Sequence, residues 1–150
     1  MSQVVKKENS AYRYSEYFHL IKDEFKEIPW LNEKTFNQGS LFLLLDDEKI
    51  VGGLSLFETS PEPEQIKEEA AKYIHKQSVF ISCFSITEQY RGKDYGKLFL
   101  KKVLSDEVFA KDKECWGIFQ KEWLIGYYQK YFNVSIHNLS NGLRLVIFKN

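Results

Sequence analysis

The spacing of hydrophobic residues predicts two helices near the start of the chain. An amphipathic helix is predicted over residues 11–27, where four apolar residues recur at helical spacing: Tyr14, Phe18, Ile21 and Phe25. Pro29 ends this helix, and Asn32 is the predicted N-cap of a short helical turn. Ahead of the helix, Val4 and Val5 allow a short first strand. The chain is therefore expected to begin β–α–α.

Continuous apolar runs predict the strands. Residues 40–45 and 50–58 are expected to form an antiparallel hairpin joined by a charged turn, in which Gly52 and Gly53 indicate a bulge or close packing. Four further strands are predicted: Val79–Ile86, Cys115–Gln120, Val134–His137 and Leu143–Phe148. Turn-forming residues at 138–142 separate the last two strands.

Further helices are predicted between these strands. One follows Ile86 and extends to about Leu104, and another covers Trp123–Phe132. Within residues 59–78, a charged stretch carries one apolar stripe made of Ile66, Ala70, Tyr73 and Ile74. We interpret this stretch as a short surface helix with a solvated charged face. A lid over a binding groove is the alternative.

The resulting order of elements is β–α–α–β–β–α–β–α–β–α–β–β, which mixes antiparallel hairpins with β-α-β crossovers. This order predicts an α/β (α+β) sandwich, with a single mixed, mainly antiparallel sheet and helices on both faces. With 150 residues, the chain is long enough for one domain with a real core. We therefore expect a single domain over residues 1–150, with a helical insertion at about 59–78.

Composition narrows the class of protein. Lys and Arg together number 21, as do Asp and Glu, and the zero formal net charge argues against a nucleic-acid-binding protein. No apolar run approaches the length of a membrane span and no signal peptide is visible, so we expect a cytoplasmic protein. Cys83 and Cys115 lie in apolar runs and are expected to be buried, reduced thiols.

The most informative stretch lies between the strand that ends at Ile86 and the helix that follows it. A glycine-bearing turn at this position leaves several backbone N–H groups at the positive end of a helix, which suits a phosphate or pyrophosphate. Gly92 and Gly96 allow the backbone to approach such a ligand closely. In the alternative interpretation, Gly92 only closes a surface turn and the neighbouring lysines are solvated.

The sequence motif of this turn, Gln89-x-x-Gly92-x-Asp94, resembles the acyl-CoA pyrophosphate loop of the GNAT superfamily of N-acyltransferases. That family's pattern is (Arg/Gln)-x-x-Gly-x-(Gly/Ala) at a strand–helix junction, and the family's order of elements matches the predicted one across almost the whole chain. Asp94 departs from the pattern, and Glu88 stands where the family often has Pro. A carboxylate beside a pyrophosphate is unfavourable unless it points away or a cation of the loop offsets it.

The resemblance implies where the co-substrate, acetyl-CoA or another acyl-CoA, would bind. The loop would hold the CoA pyrophosphate through backbone N–H groups and nearby cations, with these residues: Gln89, Tyr90, Arg91, Gly92, Lys93, Asp94, Tyr95, Gly96 and Lys97. In the preceding strand, backbone groups of Phe84, Ser85 and Ile86 would pair with pantetheine and polarise the thioester carbonyl. The alternative is that all three are ordinary sheet residues.

An aromatic segment supplies a candidate acid. Residues 124–132 are similar to the family's (Phe/Tyr)-Tyr-x-Lys-x-Gly-Phe segment, and Tyr128 matches the tyrosine that commonly protonates the leaving CoA thiolate. A phenol with a pKa of about 10 is neutral at pH 7 and can donate a proton. Tyr131 replaces the family's glycine. Alternatively, Tyr128 only packs, as Tyr127 is expected to do.

A general base is not evident. The strand over residues 79–86 contains no acid, and the remaining candidates, Glu58 and Glu88, are not assigned the role. Three histidines are isolated in sequence and are expected to be structural or surface residues: His19, His75 and His137. Cys83 is expected to be inert, and no metal-ligand spacing occurs in the sequence.

These features predict an N-acyltransferase that moves an acyl group, most often acetyl, from acyl-CoA to a primary amine by direct attack in a ternary complex. The acceptor would be a small molecule or a peptide. No nucleic-acid or membrane partner is expected. Whether the protein forms a homodimer is left open by the sequence. Two alternatives stay open: a GNAT-like module that binds acyl-CoA or a protein partner without turnover, and an α/β domain whose loop binds another phosphorylated ligand.

Overall fold

Strands and helices alternate along most of the chain. The computed structural model describes residues 3–150, so Met1 and Ser2 of the predicted domain lie outside the described residues. The strands are β1 (Gln3–Glu8), β2 (Ser40–Asp46), β3 (Lys49–Phe57), β4 (Ser78–Ile86), β5 (Glu114–Phe119), β6 (Val134–Asn138) and β7 (Arg144–Phe148). The helices are α1 (Ala11–Ile21), α2 (Glu33–Phe36), α3 (Glu64–Ala71), α4 (Tyr95–Glu107) and α5 (Glu122–Tyr131). None of the helices in the described part of the chain is long and apolar enough to cross a membrane.

The strands form one mixed sheet in the order β1-β2-β3-β4-β5-β7-β6. The pairs β1–β2, β2–β3, β5–β7 and β6–β7 are antiparallel, whereas β4 and β5 pair in parallel through Ser78–Phe80. The predicted α/β fold with a mixed, mainly antiparallel sheet is therefore confirmed. The chain divides into two compact units: the first runs to Phe57 and includes Ile81–Val103, and the second comprises Glu58–Phe80 and Leu104–Asn150.

The core of the first unit lies where α1 packs its apolar face against the β2–β3 hairpin. Its buried residues are Tyr17, Ile21, Phe36, Leu41, Leu43, Leu45, Ile50 and Cys83. Since these residues come from α1, α2 and three strands, the helical spacing on α1 is explained by the sheet face that it covers. Burying each large apolar side chain contributes roughly 2 kcal/mol of stability.

α1 is shorter than its sequence pattern predicts. It ends at Ile21 instead of residue 27, and residues 22–27 continue as turns in which the Phe25 N–H donates to Ile21 O at 3.1 Å. Phe25 still packs against the core of the first unit. The apolar spacing thus continues beyond Ile21, so the sequence pattern does not reveal where the helix ends.

The β2–β3 hairpin has both features that its glycines indicate. The pairing register shifts between Leu44 and Leu45, which marks a bulge. A Cβ atom on Gly53 would lie 2.8 Å from ring atoms of Tyr17, so this position requires a glycine for close packing.

In the second unit, α5 packs against β5 and β7 through a cluster of aromatic rings. Tyr128 lies among Phe119, Phe132 and Phe148, with its ring centroid 5.0–6.1 Å from theirs. Tilted and edge-to-face contacts of this kind add stability beyond simple burial.

The charged stretch predicted at 59–78 contains α3, which is attached to the β6–β7 hairpin of the second unit. The Glu69 carboxylate accepts hydrogen bonds from the Ser140 N–H at 3.1 Å and the Ser140 hydroxyl at 2.7 Å. Just after α3, the ring of Tyr73 stacks on His137 with centroids 4.0 Å apart. Ala70 of the predicted apolar stripe is fully buried.

Candidate functional site

The turn between β4 and α4 has an irregular backbone that its residues explain. The 3₁₀ turn Glu88–Tyr90 is followed by Gly92 with φ +78° and Asp94 with φ +64°. Glycine adopts this left-handed conformation without steric cost, and Asp adopts it more readily than most residues. α4 begins at Tyr95, and Asp94 O accepts a hydrogen bond from the Leu98 N–H at 3.1 Å. Asp94 is thus the last residue before the helix.

The start of α4 has the geometry of an anion site. In any α-helix the N–H groups of the first turn, here residues 95–97, have no acceptor within the helix, and the helix dipole adds partial positive charge. Gly96 brings this turn close to β4, since a Cβ there would lie 3.1 Å from Ile86 Cγ1 and 3.3 Å from Phe84 Cζ. The predicted loop residues and the end of β4 therefore lie together in the first unit.

Asp94, the departure from the family pattern, has a neighbouring cation. Lys97 Nζ lies 3.7 Å from Asp94 Oδ1, one helical turn further along the chain. The Asp94 side chain is 72% exposed, so water also screens its charge. The negative charge in the loop is thereby offset from within the loop itself.

Arg91 is tied to the strand and to a residue outside the loop. Its Nε donates to Ile86 O at 2.6 Å, and its Nη2 donates to Glu24 Oε1 at 3.0 Å. These bonds hold the guanidinium at the end of β4. Lys93 is exposed on the same loop.

Tyr90 connects the loop to the β2–β3 hairpin. Its hydroxyl donates to Asp46 Oδ2 at 3.2 Å, and Lys49 Nζ lies 5.8 Å from the centre of its ring. Burial and the bond to Asp46 raise the pKa of Tyr90, so its hydroxyl stays protonated. The tyrosine therefore anchors the 3₁₀ turn that precedes Gly92.

The end of β4 is distorted around Cys83, which has φ +58°. The Tyr17 hydroxyl lies 2.8 Å from both Gly53 O and Cys83 O, and it accepts a hydrogen bond from the Ser85 backbone. The Ser85 N–H thus points toward Tyr17. Because N–H groups alternate along an extended strand, those of Phe84 and Ile86 face the opposite edge.

Glu24 is a functional candidate that sequence reasoning missed. It lies in the turns after α1, and its Oε2 accepts a hydrogen bond from Ser85 Oγ at 2.6 Å. It falls within the helix predicted over residues 11–27, where the sequence assigns it no role. Only the tertiary fold brings it to β4, and no local sequence signal marks it.

Both cysteines are buried and unpaired, as predicted. Burial raises the pKa of Cys83 to about 12, and it also raises the pKa of Cys115. Neither side chain is a thiolate near pH 7, which agrees with the expectation that Cys83 is inert.

Tyr128 lies in the second unit, where 1% of it is exposed. Burial raises its pKa well above the usual value for a phenol, with Tyr127 and Cys115 adding to the effect. The hydroxyl therefore remains protonated over the physiological range. The aromatic rings around Tyr128 also fit the alternative interpretation, in which Tyr128 serves only in packing.

The remaining titratable candidates are peripheral. Glu58 and Glu88 are exposed, as are His19 and His75. The ring of His137 stacks on Tyr73, and desolvation followed by the charge of Lys149 lowers its pKa.

The chain matches the model of the acetyltransferase (GNAT) family over residues 3–133. It therefore belongs to this family of acetyltransferases. No curated protein matches the sequence.

Solved structures agree in fold. The chain is similar to Naa50 of Arabidopsis thaliana in complex with the bisubstrate analogue CoA-Ac-MVNAL (14% identity, 100% and 99% of the two chains covered, TM-score 0.67). It is also similar to the PaiA N-acetyltransferase of Thermoplasma acidophilum in complex with coenzyme A (12% identity, 100% of both chains, TM-score 0.64). A third similar structure is an acyl-CoA N-acyltransferase from Pseudomonas aeruginosa (14% identity, 99% of both chains, TM-score 0.66). At these identities the likeness concerns the fold.

Proposed function

We propose that this chain is an acyl-CoA-dependent N-acyltransferase that transfers an acyl group, most often acetyl, to a primary amine of a small molecule or peptide. The observation that carries the proposal is the loop at the start of α4. There, Gly92 in the left-handed region, the close approach at Gly96 and the first-turn N–H groups would together form an anion site at the end of β4.

The proposed reaction is a direct attack in a ternary complex. Loop residues 89–97 would hold the CoA pyrophosphate through backbone N–H groups, with Arg91, Lys93 and Lys97 adding charge. The edge of β4 that carries the N–H groups of Phe84 and Ile86 would pair with pantetheine and polarise the thioester carbonyl. The Ser85 N–H is occupied by Tyr17, so we assign this role to its two neighbours.

The co-substrate and acceptor classes draw support from the family and from similar proteins. Two of these were solved with CoA or with a CoA–peptide analogue. We propose that the chain acts in the cytoplasm as one domain over residues 1–150, with the α3 region as an insertion. A homodimer would use exposed strand edges.

A thermal-shift titration tests the co-substrate site. Acetyl-CoA at about 100 times its dissociation constant adds roughly 2.7 kcal/mol to the free energy of unfolding. For a chain of this size we expect the melting temperature to rise by about 5–10 °C. Free CoA is expected to act similarly and ATP to have no effect. A chain that responds to ATP but to no CoA ester would instead have a site for another phosphorylated ligand.

Turnover is tested by following thiol release with spermidine, tyramine and the peptide Met-Val-Asn-Ala-Leu as acceptors. If Tyr128 donates to the leaving thiolate, Tyr128→Phe lowers kcat by about 10- to 100-fold and leaves the Kd of acetyl-CoA unchanged. Tyr131→Phe, on the same helix, is the control and is expected to keep full activity. Equal rates for both variants would assign Tyr128 to packing alone.

A second candidate function is acyl-CoA binding without turnover. The burial of Tyr128 in an aromatic cluster favours it, because a fully packed ring is placed for stability. A saturable acetyl-CoA shift with no thiol release for any of the three acceptors would support this candidate over the enzyme.

A further inference from the structure

We infer that Glu24 accepts the proton of the incoming amine, and that Ser85 orients the Glu24 carboxylate for this task. The inference deepens the proposed function and rests on it. It concerns the step for which the sequence shows no residue, because an ammonium group must lose a proton before its nitrogen can attack a thioester.

The Glu24 carboxylate is fixed by two hydrogen bonds from different elements. Ser85 Oγ on β4 donates to Oε2 at 2.6 Å, and Arg91 Nη2 on the loop donates to Oε1 at 3.0 Å. A carboxylate accepts about four hydrogen bonds in all, so each oxygen can take another. The side chain is 35% exposed and thus open to an amine from solvent.

The position of this carboxylate matches the reaction proposed above. Ser85 lies between Phe84 and Ile86, the residues whose backbone would hold the thioester. A carboxylate one hydrogen bond away from Ser85 is therefore close to the carbonyl that the amine must reach. A general base must lie within hydrogen-bond reach of the proton that it removes, and in the inferred complex Glu24 would meet this requirement from the side of the α1–α2 connection.

Among the described residues, the titratable groups of other elements that interact with Glu24 are Arg91, Tyr17 and Cys83. The Arg91 guanidinium has only hydrogen-bond donors and no acceptor, so it is not a proton acceptor here. Burial, with the charge of Glu24 as a smaller cause, raises the pKa of both Tyr17 and Cys83, the latter to about 12. Both therefore stay neutral between about pH 7 and pH 9.5, which leaves Glu24 as the proton acceptor in this group.

The ammonium gives one proton to the Glu24 carboxylate, and the lone pair of the neutral amine forms a C–N bond to the thioester carbon. The C–S bond then breaks and its electron pair leaves with sulfur. The amide nitrogen loses a second proton, the thiolate gains one, and Glu24 passes its own proton to water. One proton is released for each amide formed.

The test uses the acceptor, among spermidine, tyramine and the peptide, that the wild-type protein acetylates fastest. For this acceptor, kcat/KM of Glu24→Gln is compared with kcat/KM of the wild type. Gln has nearly the same shape but does not accept a proton. We expect a loss of about 100-fold at pH 7 that narrows to below about 10-fold at pH 9.5, where more of the amine is already neutral. Hydroxylamine, which is mostly neutral at pH 7, is expected to react with both proteins at similar rates.

Glu27→Gln, an exposed carboxylate on the same connection, is the matched control and is expected to behave as wild type. Ser85→Ala is expected to give an intermediate loss, and the Kd of acetyl-CoA is expected to stay within about twofold for Glu24→Gln. An equal loss at both pH values would show a purely structural role and overturn the inference. Full activity of Glu24→Gln at pH 7 would also overturn it and leave the proposed function intact, whereas an inactive wild type would remove both.

Discussion

Gly92 and Gly126 are both exposed, and beyond the adjacent backbone no atom lies within 4 Å of the place where a Cβ would be at either position. They differ in backbone conformation, because Gly92 has φ +78° and Gly126 lies inside α5. Gly92→Ala is therefore expected to lower the free energy of unfolding by about 1–2 kcal/mol through backbone strain. Gly126→Ala is expected to raise it by up to about 1 kcal/mol through helix propensity.

Urea denaturation of the two variants measures this difference, with wild type as the reference. A Gly92→Ala protein as stable as wild type would mean that the loop relaxes out of the left-handed conformation. The loop would then lack the fixed turn on which the proposed anion site depends.

The surroundings of a single residue could be predicted where they are formed by its neighbours in sequence. The condition that a loop cation must offset Asp94 is met by Lys97, three positions further on. Glu24 was not predictable, because its partners Ser85 and Arg91 are more than 60 positions away. The burial of Tyr128 was left open, since aromatic spacing on a helix does not distinguish a buried ring from an accessible one.

At the scale of elements, we expect the contact between α3 and the β6–β7 hairpin to depend on pH. The Ser140 hydroxyl and then its N–H lower the pKa of Glu69 from its ordinary value of 4.5. A carboxyl whose pKa is lowered by folding stabilises the folded state above its ordinary pKa. That stabilisation is lost as the pH falls through the folded-state pKa.

Ser140→Ala is therefore expected to lower the melting temperature at about pH 7 and to have a smaller effect at about pH 3, because a lower pH favours the protonated form of Glu69 and weakens its bonds to Ser140. Scanning calorimetry at the two pH values measures the change. Ser105→Ala, at an exposed position of α4, serves as the control. A Ser140→Ala effect of the same size at both pH values would show that Glu69 does not contribute to it.

The elements themselves followed from local patterns, with errors at their ends. β4 was predicted to within one residue, because its apolar run is continuous. The end of α1 was missed by six residues, because Phe25 keeps the helical spacing while it packs from a turn. Periodicity records which side chains are buried, and it does not record whether the backbone between them is still helical.

For the whole molecule, the order of elements together with one loop motif was enough to predict the fold and the family. The strand order and the match over residues 3–133 confirm both. The acceptor could not be predicted, because it depends on side chains that distant parts of the chain bring together. Glu24 and Ser85, which lie 61 positions apart in sequence and share a hydrogen bond, illustrate such long-range juxtaposition.

The zero net charge of the molecule makes a further prediction about the co-substrate. With 21 basic and 21 acidic residues, the net charge provides no general attraction for CoA, so under the proposed function the attraction would come from the loop cations Arg91, Lys93 and Lys97. The Debye length falls from about 14 Å to about 4 Å between 0.05 and 0.5 M salt, which weakens exposed charge pairs. The Kd of CoA is therefore expected to rise about three- to tenfold over this range.

Pantetheine, which has no phosphate, is the control. Its Kd, measured like that of CoA by isothermal titration calorimetry, is expected to stay constant. If both ligands weaken equally, the loop cations do not bind the pyrophosphate, and the anion site would rest on the backbone of α4 alone.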